Sequence, residues 1–182
     1  RLRARAEVTL MGEPDLASCK EALEKNLEEA DALLGTFNAL LDIARLEGSA
    51  SGPRDPVNLG EIVADVADLY EPVAEDAQIT LEVLPAVGST TVKGDRRLLS
   101  QAIANLVDNA LKYTGSRGRV WLKAEQSGKQ AILTVGDNGP GVPALERDRI
   151  FDRFVRLDSD RSKPGNGLGL SLVRAVAVMH GA

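Results

Sequence analysis

Cysteine and histidine each occur only once in this chain of 182 residues. A single Cys19 excludes an internal disulfide and a cysteine-built zinc site, and a single His180 excludes a multi-histidine metal centre. Aromatic residues make up only 3%, too few for the stacking platforms that hold single-stranded nucleic acid. Basic residues are outnumbered, 22 against 27 acidic, and the formal net charge of -5 disfavours a general nucleic-acid binder. No apolar run approaches the ~20 residues that a membrane-spanning helix needs. The opening Arg1-Leu2-Arg3-Ala4-Arg5 has no apolar stretch behind its charges, unlike a secretory leader. What is present, 43% hydrophobic and 27% charged residues, is the composition of an ordinary globular protein. The length suits one medium domain, or one domain plus a small helical module. The chain opens on Arg, in what reads as the middle of a helix, as expected of part of a longer protein.

Proline is absent from Leu16 to Glu47, and Gly35 is the only glycine there. Apolar residues recur at Leu23, Leu27, Ala30, Leu34, Phe37, Leu41 and Ala44, alternating four and three apart, which is a heptad seam. Leu33, Leu40, Ile43 and Leu46 widen it beyond two positions per heptad, as in a helix of a four-helix bundle. Residues 1–11 read as the tail of a preceding helix, Gly12–Asp15 as the turn, and Asp15 as the N-cap of the long helix. Two helices cannot bury such a stripe alone, so the pattern predicts a homodimer through residues 1–47. Packing of the hairpin on the chain's own second domain is the alternative.

Small residues and two prolines in Gly48–Pro56 read as a linker, with the domain boundary there. We therefore expect a helical hairpin over 1–48, a linker over 49–55 and a second domain over 56–182. In the second domain the spacing predicts a helix over Leu59–Asp76 with Ile62, Val63, Val66, Leu69 and Val73 inward, and strands at Ile79–Leu84 and Thr90–Val92. A helix over Asp95–Tyr113 is capped by Asp95. Arg119–Glu125 and Gln130–Val135 form a hairpin around Ser127-Gly128, followed by a short helix near Ile150 and a last helix over Leu168–Met179. The class is α+β, with helices on one face of a mixed sheet.

Four clusters could carry chemistry. Asn105, Asn109, Lys112 and Tyr113 share one helix face, opposite Leu99, Ile103, Leu106 and Ala110. Two amides and a lysine in register offer carbonyl oxygens for a hard cation and a positive charge for phosphate; a polar solvent face is the plainer alternative. Asp137-Asn138-Gly139-Pro140-Gly141 follows a strand, so that Asp137 could accept from an exocyclic amine while the glycines let a planar ligand approach; it is also ordinary turn chemistry. In Phe151–Arg156 the two phenylalanines, Phe151 and Phe154, would anchor a mobile segment, and Arg153 and Arg156 could reach phosphate oxygens, or simply be solvated. Gly165, Gly167 and Gly169, with Leu168, run into a helix and can form a backbone cradle for phosphate, or a flexible linker. This last stretch is neither a dinucleotide fingerprint nor a Walker A loop. Residues 157–167 read as a flexible, polar lid.

The order and spacing of these four boxes, from about Asp55 onward, resemble the ATP-binding domain of sensor histidine kinases, within the superfamily that includes Hsp90, gyrase and MutL ATPases. Residues 1–47 resemble the dimerisation and phosphotransfer hairpin preceding that domain. The resemblance implies an α/β sandwich holding Mg-ATP after a dimeric four-helix bundle. It implies that Asn109 ligates Mg²⁺, Asn105 lies near the phosphates, Lys112 contacts phosphate and Tyr113 lines the adenine pocket. Asp137 would read the adenine amine, Gly139 and Gly141 would give adenine room, Arg153 and Arg156 would serve the phosphates, and Gly165, Gly167, Leu168 and Gly169 would form the lid hinge and cradle. A parent protein of this kind phosphorylates a histidine and passes the phosphoryl group to an aspartate of a response regulator, whose specificity would lie around Leu16–Leu34. It would be the cytoplasmic part of a membrane-anchored sensor, a compartment that the lack of disulfides suits.

Two departures stand out. The phosphoacceptor histidine of the first bundle helix is absent, and His180 falls where the family has His-Gly-Gly, a structural position. The family also continues with two further strands. This stretch is thus expected to bind ATP without phosphorylating itself. Two other readings are a non-kinase ATPase, which would place Glu where Asn105 stands, and a dimeric scaffold with a degenerate pocket, although none of the four boxes is visibly broken.

Overall fold

The computed structural model describes residues 4, 7, 8, 11, 15–48, 55–156 and 166–182. Residues 1–42 and 43–182 form two compact units. In the first, residues 4, 7, 8 and 11 have helical backbone, and Gly12–Pro14 lie outside the described residues. Helix α1 runs over Leu16–Gly48. Asp15 caps it as expected, its Oδ1 accepting from the Ser18 N–H at 2.8 Å. The heptad seam is open to water: Leu23, Leu27, Leu34 and Phe37 are 59% to 64% exposed. A paired hairpin is not evident among the described residues.

The second unit holds β1 (Asp55–Asn58), α2 (Leu59–Asp76), β2 (Thr80–Val83), β3 (Thr91–Gly94), α3 (Arg96–Tyr113), β4 (Arg119–Ser127), β5 (Gln130–Asp137) and α4 (Gly169–Met179). Single 3-10 turns lie at Ala144–Glu146 and Arg149–Phe151. The three-stranded sheet is mixed. β4 lies between β2, which it pairs in parallel, and β5, which it pairs antiparallel, while β1 and β3 form a separate antiparallel ladder. Asp55 and Pro56, which composition assigned to the linker, thus belong to a strand: Asp55 pairs with Gly94 and Pro56 with Lys93. Proline is tolerated at the start of such a two-stranded edge.

Alternation along β4 sets the core. Val120, Leu122 and Ala124 are buried on one face, beneath Ile62, Val63 and Val66 of α2 and Ile103, Val107, Ala110 and Leu111 of α3. Leu69 and Val73, expected inward, are exposed; the buried arc of α2 is centred on Val66 and Tyr70, which leaves those two at its margin. On the other face Trp121 lies over Gly136, where a Cβ would come within 2.3 Å of the indole. A second cluster joins Leu98 and Ala102 of α3 to Leu172 and Val176 of α4. His180 fastens the same pair: its Nε2 accepts from the Asp95 N–H at 3.1 Å, so Nδ1 carries the proton and donates to Val176 O at 2.8 Å. Its role is structural. Turns are fixed locally. Asn58 Oδ1 accepts from Gly60 N and Thr90 Oγ1, Asp95 Oδ1 accepts from Leu98 N, and the β4–β5 turn uses Gly128 at φ +61. No helix among the described residues is long and apolar enough to cross a membrane.

Leu122 is fully buried, so Leu122→Ala should lower the unfolding free energy by about 2–5 kcal/mol in chemical denaturation. At the start of α1, hydrogen bonding to Ser18 holds the Asp15 carboxyl below its usual value. A depressed folded-state value means stabilisation above the ordinary carboxylate range, lost as pH falls through the lowered value. Asp15→Ala should therefore reduce helical circular dichroism at neutral pH, and the difference from the parent should vanish in strong acid.

Candidate functional site

Helix α3 supplies one wall of the site. Its buried residues, Leu98, Ala102, Ile103, Val107, Ala110 and Leu111, turn Asn105, Asn109, Lys112 and Tyr113 to a half-buried opposite side. Sequence spacing missed the share of Val107 and Leu111 in the core; Leu99 and Leu106, expected there, are only partly covered. Asn105 and Tyr113 are eight positions apart, about 12 Å along the axis.

At the Asn105 end the helix meets the glycine-rich stretch. Asn105 Nδ2 donates to Gln101 O at 3.0 Å, and a Cβ on Gly169 would lie 3.1 Å from Asn105 Oδ1. Glycine at the first residue of α4 thus lets the helix start close to the amide. Leu168 is completely buried; its N–H donates to Asn166 Oδ1 and its carbonyl accepts from Ser171 Oγ at 2.8 Å. It plugs the loop into the core. Gly167 has φ +70, and a Cβ there would lie 2.8 Å from the Phe154 carbonyl carbon. The Phe154 N–H donates to Gly167 O at 2.9 Å, so the phenylalanine and glycine boxes are joined through their backbones. Phe154 does not anchor its segment by burial: it is 59% exposed, in the left-handed region at φ +63, where its side chain turns from the core. Arg153 is exposed and Arg156 half-buried on this segment. An ion pair between Asp152 and Arg174, at 3.6 Å, ties it to α4. Gly165 and residues 157–165 of the expected lid lie outside the described residues.

At the Tyr113 end the helix meets the end of β5. Asp137 Oδ1 accepts from the Gly139 N–H at 2.8 Å, an Asx turn. A Cβ on Gly139 would lie 2.9 Å from both that oxygen and Tyr113 O, which only glycine tolerates. Lys112 Nζ lies 5.1 Å from the centre of the Tyr113 ring. Gly141, at φ +71, has open space around it. Among the described residues no group of three or more His, Cys, Asp or Glu could hold a metal. The structure thus brings Asn105 to Gly169, Phe154 to Gly167, and Tyr113 to Asp137 and Gly139. A carboxylate and an aromatic ring stand at one end of α3, and backbone amides at a helix start stand at the other.

The family described as "Histidine kinase-, DNA gyrase B-, and HSP90-like ATPase" matches residues 94–182, which include all four boxes. The chain is 33% identical over 178 residues to the sensor-like histidine kinase SenX3 of Mycolicibacterium smegmatis, covering 96% of this chain and 46% of that protein. It therefore spans under half the length of that relative. A solved structure of the mycobacterial sensor histidine kinase MprB is 36% identical, with a TM-score of 0.59 over 70% of this chain and 80% of that one. ShkA, solved full-length in complex with AMPPNP, is 31% identical with a TM-score of 0.74, covering 89% of this chain and 34% of that one. The chain belongs to the sensor histidine kinases, and its second unit is the α+β ATP-binding domain that they share with gyrase B and HSP90.

Gly167→Ala would place a strained residue against the Phe154 backbone. It should cost at least about 1 kcal/mol in thermal unfolding and speed proteolysis of the phenylalanine box.

Proposed function

We propose that this chain is the catalytic part of a sensor histidine kinase that binds Mg-ATP in the second unit. The observation that carries the reading is the pair of meetings on α3: Tyr113 with Asp137 and Gly139 at one end, Asn105 with Gly169 at the other. Adenine lies at the first, with an Asp137 oxygen accepting from the exocyclic amine, Tyr113 along the ring, and Gly139 and Gly141 leaving it room. The triphosphate lies toward the second, where the amides at the start of α4 and the positive end of its dipole attract oxygens. Lys112, Arg153 and Arg156 neutralise phosphate charge, and Gly167, Leu168 and Gly169 form the cradle beside them. Asn109, half-buried between the two ends, offers one amide oxygen, which suits Mg²⁺ because that ion completes its octahedron with phosphate oxygens and water. The ion supplies charge neutralisation on the phosphates. Phosphoryl transfer then needs positioning and electrostatics more than covalent help from the protein.

The domain reading is a hairpin over 1–48 and, after a linker, the catalytic domain from the β1 strand at Asp55 onward. The exposed seam of α1 supports dimerisation into a four-helix bundle through residues 1–47. In the whole protein the phosphoryl group passes to a histidine outside these residues, then to an aspartate of a response regulator docking on the bundle. The protein is membrane-anchored with this part in the cytoplasm.

Titration calorimetry should show ADP binding that strengthens with Mg²⁺. Asp137→Ala should weaken it at least ~10-fold with or without the ion, as loss of a charge-assisted hydrogen bond requires. Asn109→Ala should remove only the Mg²⁺ enhancement. Sedimentation should show a dimer that Leu27→Glu converts to monomer.

A further inference from the structure

Between Asp137 and Gly139 stands Asn138, a residue for which the nucleotide reading has no use. Its geometry is unusual. In the β4–β5 ladder Val120 faces Asp137, so the next pair is Arg119 with Asn138. In a closed antiparallel pair each residue donates its N–H to the other's main-chain carbonyl. Here the Asn138 N–H donates to Arg119 O at 3.2 Å, but the Arg119 N–H donates to Asn138 Oδ1 at 2.8 Å. The side-chain amide thus occupies the place of the main-chain carbonyl.

We propose that Asn138 is a positioning residue for the adenine-reading carboxylate: its side-chain carbonyl closes the last rung of the ladder, freeing the main chain to leave the sheet one residue after Asp137. This rests on the nucleotide reading of the site. The surroundings are built for it. Gly118 leaves room for the amide, since a Cβ there would lie 2.9 Å from Asn138 Oδ1 and 2.1 Å from Thr114 Cγ2. The loop that presents Arg119 is held from its other side, with the Arg117 N–H donating to Gln78 O at 2.8 Å and Ser116 Oγ to Gln78 Oε1 at 3.0 Å. With the rung closed, the backbone of Asp137 is fixed by β4 and its Oδ1 by the Gly139 N–H. Oδ2 makes no hydrogen bond among the described residues and is the oxygen offered to a base.

The test compares ADP and GDP binding to the full chain, because adenine carries an amine where guanine carries a carbonyl. Asn138→Ala should weaken ADP about tenfold, the scale of one hydrogen bond, and GDP by less than twofold. Asn138→Asp, which keeps an acceptor for Arg119, should recover most of the ADP affinity. In the parent chain the Arg119 amide should exchange slowly with solvent, which is readable even if a variant fails to fold. The inference is overturned if Asn138→Ala leaves ADP affinity within twofold, if it weakens both nucleotides equally, if Asn138→Asp is as poor as Asn138→Ala, or if the Arg119 amide exchanges freely. Asp137→Ala separates the two readings. Unchanged ADP affinity there overturns the nucleotide site and this inference together. Loss of binding there, with no effect of Asn138→Ala, overturns this inference alone.

Discussion

The burial of one face of α3 against β4 is the constraint on which the rest depends. Val107, Val120 and Leu122 are completely sealed from water, and Ile103 nearly so. A helix gripped so firmly on one side has no rotational freedom, so the direction of Asn105, Asn109, Lys112 and Tyr113 is decided by the apolar residues behind them. The polar face needs no specific interaction of its own to be held in place. That separation lets a helix carry two amides in its interior, where they weaken it.

Most of the contacts that bring the boxes together are made by backbone. Gly139 lies against the Tyr113 carbonyl, Gly167 against Phe154, and Gly169 against the Asn105 amide. At each of these points a methyl group would sit closer to its neighbour than ordinary van der Waals contact allows. The glycines therefore act by approach as much as by flexibility. Leu168 and His180 anchor the two ends of α4, one by burial and the other by a neutral imidazole between a donor and an acceptor. The helix start is thus presented from a fixed base.

Helix α1 obeys the opposite economy. Leu23, Leu27, Leu33, Leu34 and Phe37 lie in the open. An exposed seam with heptad spacing stabilises no single chain; its apolar area gains only when a second surface covers it.

Apart from β1, periodicity and caps were sufficient to read the order of helices and strands in the second unit from the sequence, because they are local: Asp95 capping α3, the alternation in β4 and the turn at Gly128 each depend on neighbours in the chain. The four boxes were legible for the same reason, as residue types at short spacings. Tertiary structure alone decided the rest. It made Asp55 and Pro56 a strand, through pairing with residues nearly forty positions away. It moved Leu69, Val73 and Phe154 out of the core, and Val107 and Leu111 into it. It also gave Asn138 a partner in Arg119 across the sheet. A side chain's burial and partners depend on what the fold packs against it, and hydrophobic spacing states only that one face is apolar, not where that face begins or what will cover it.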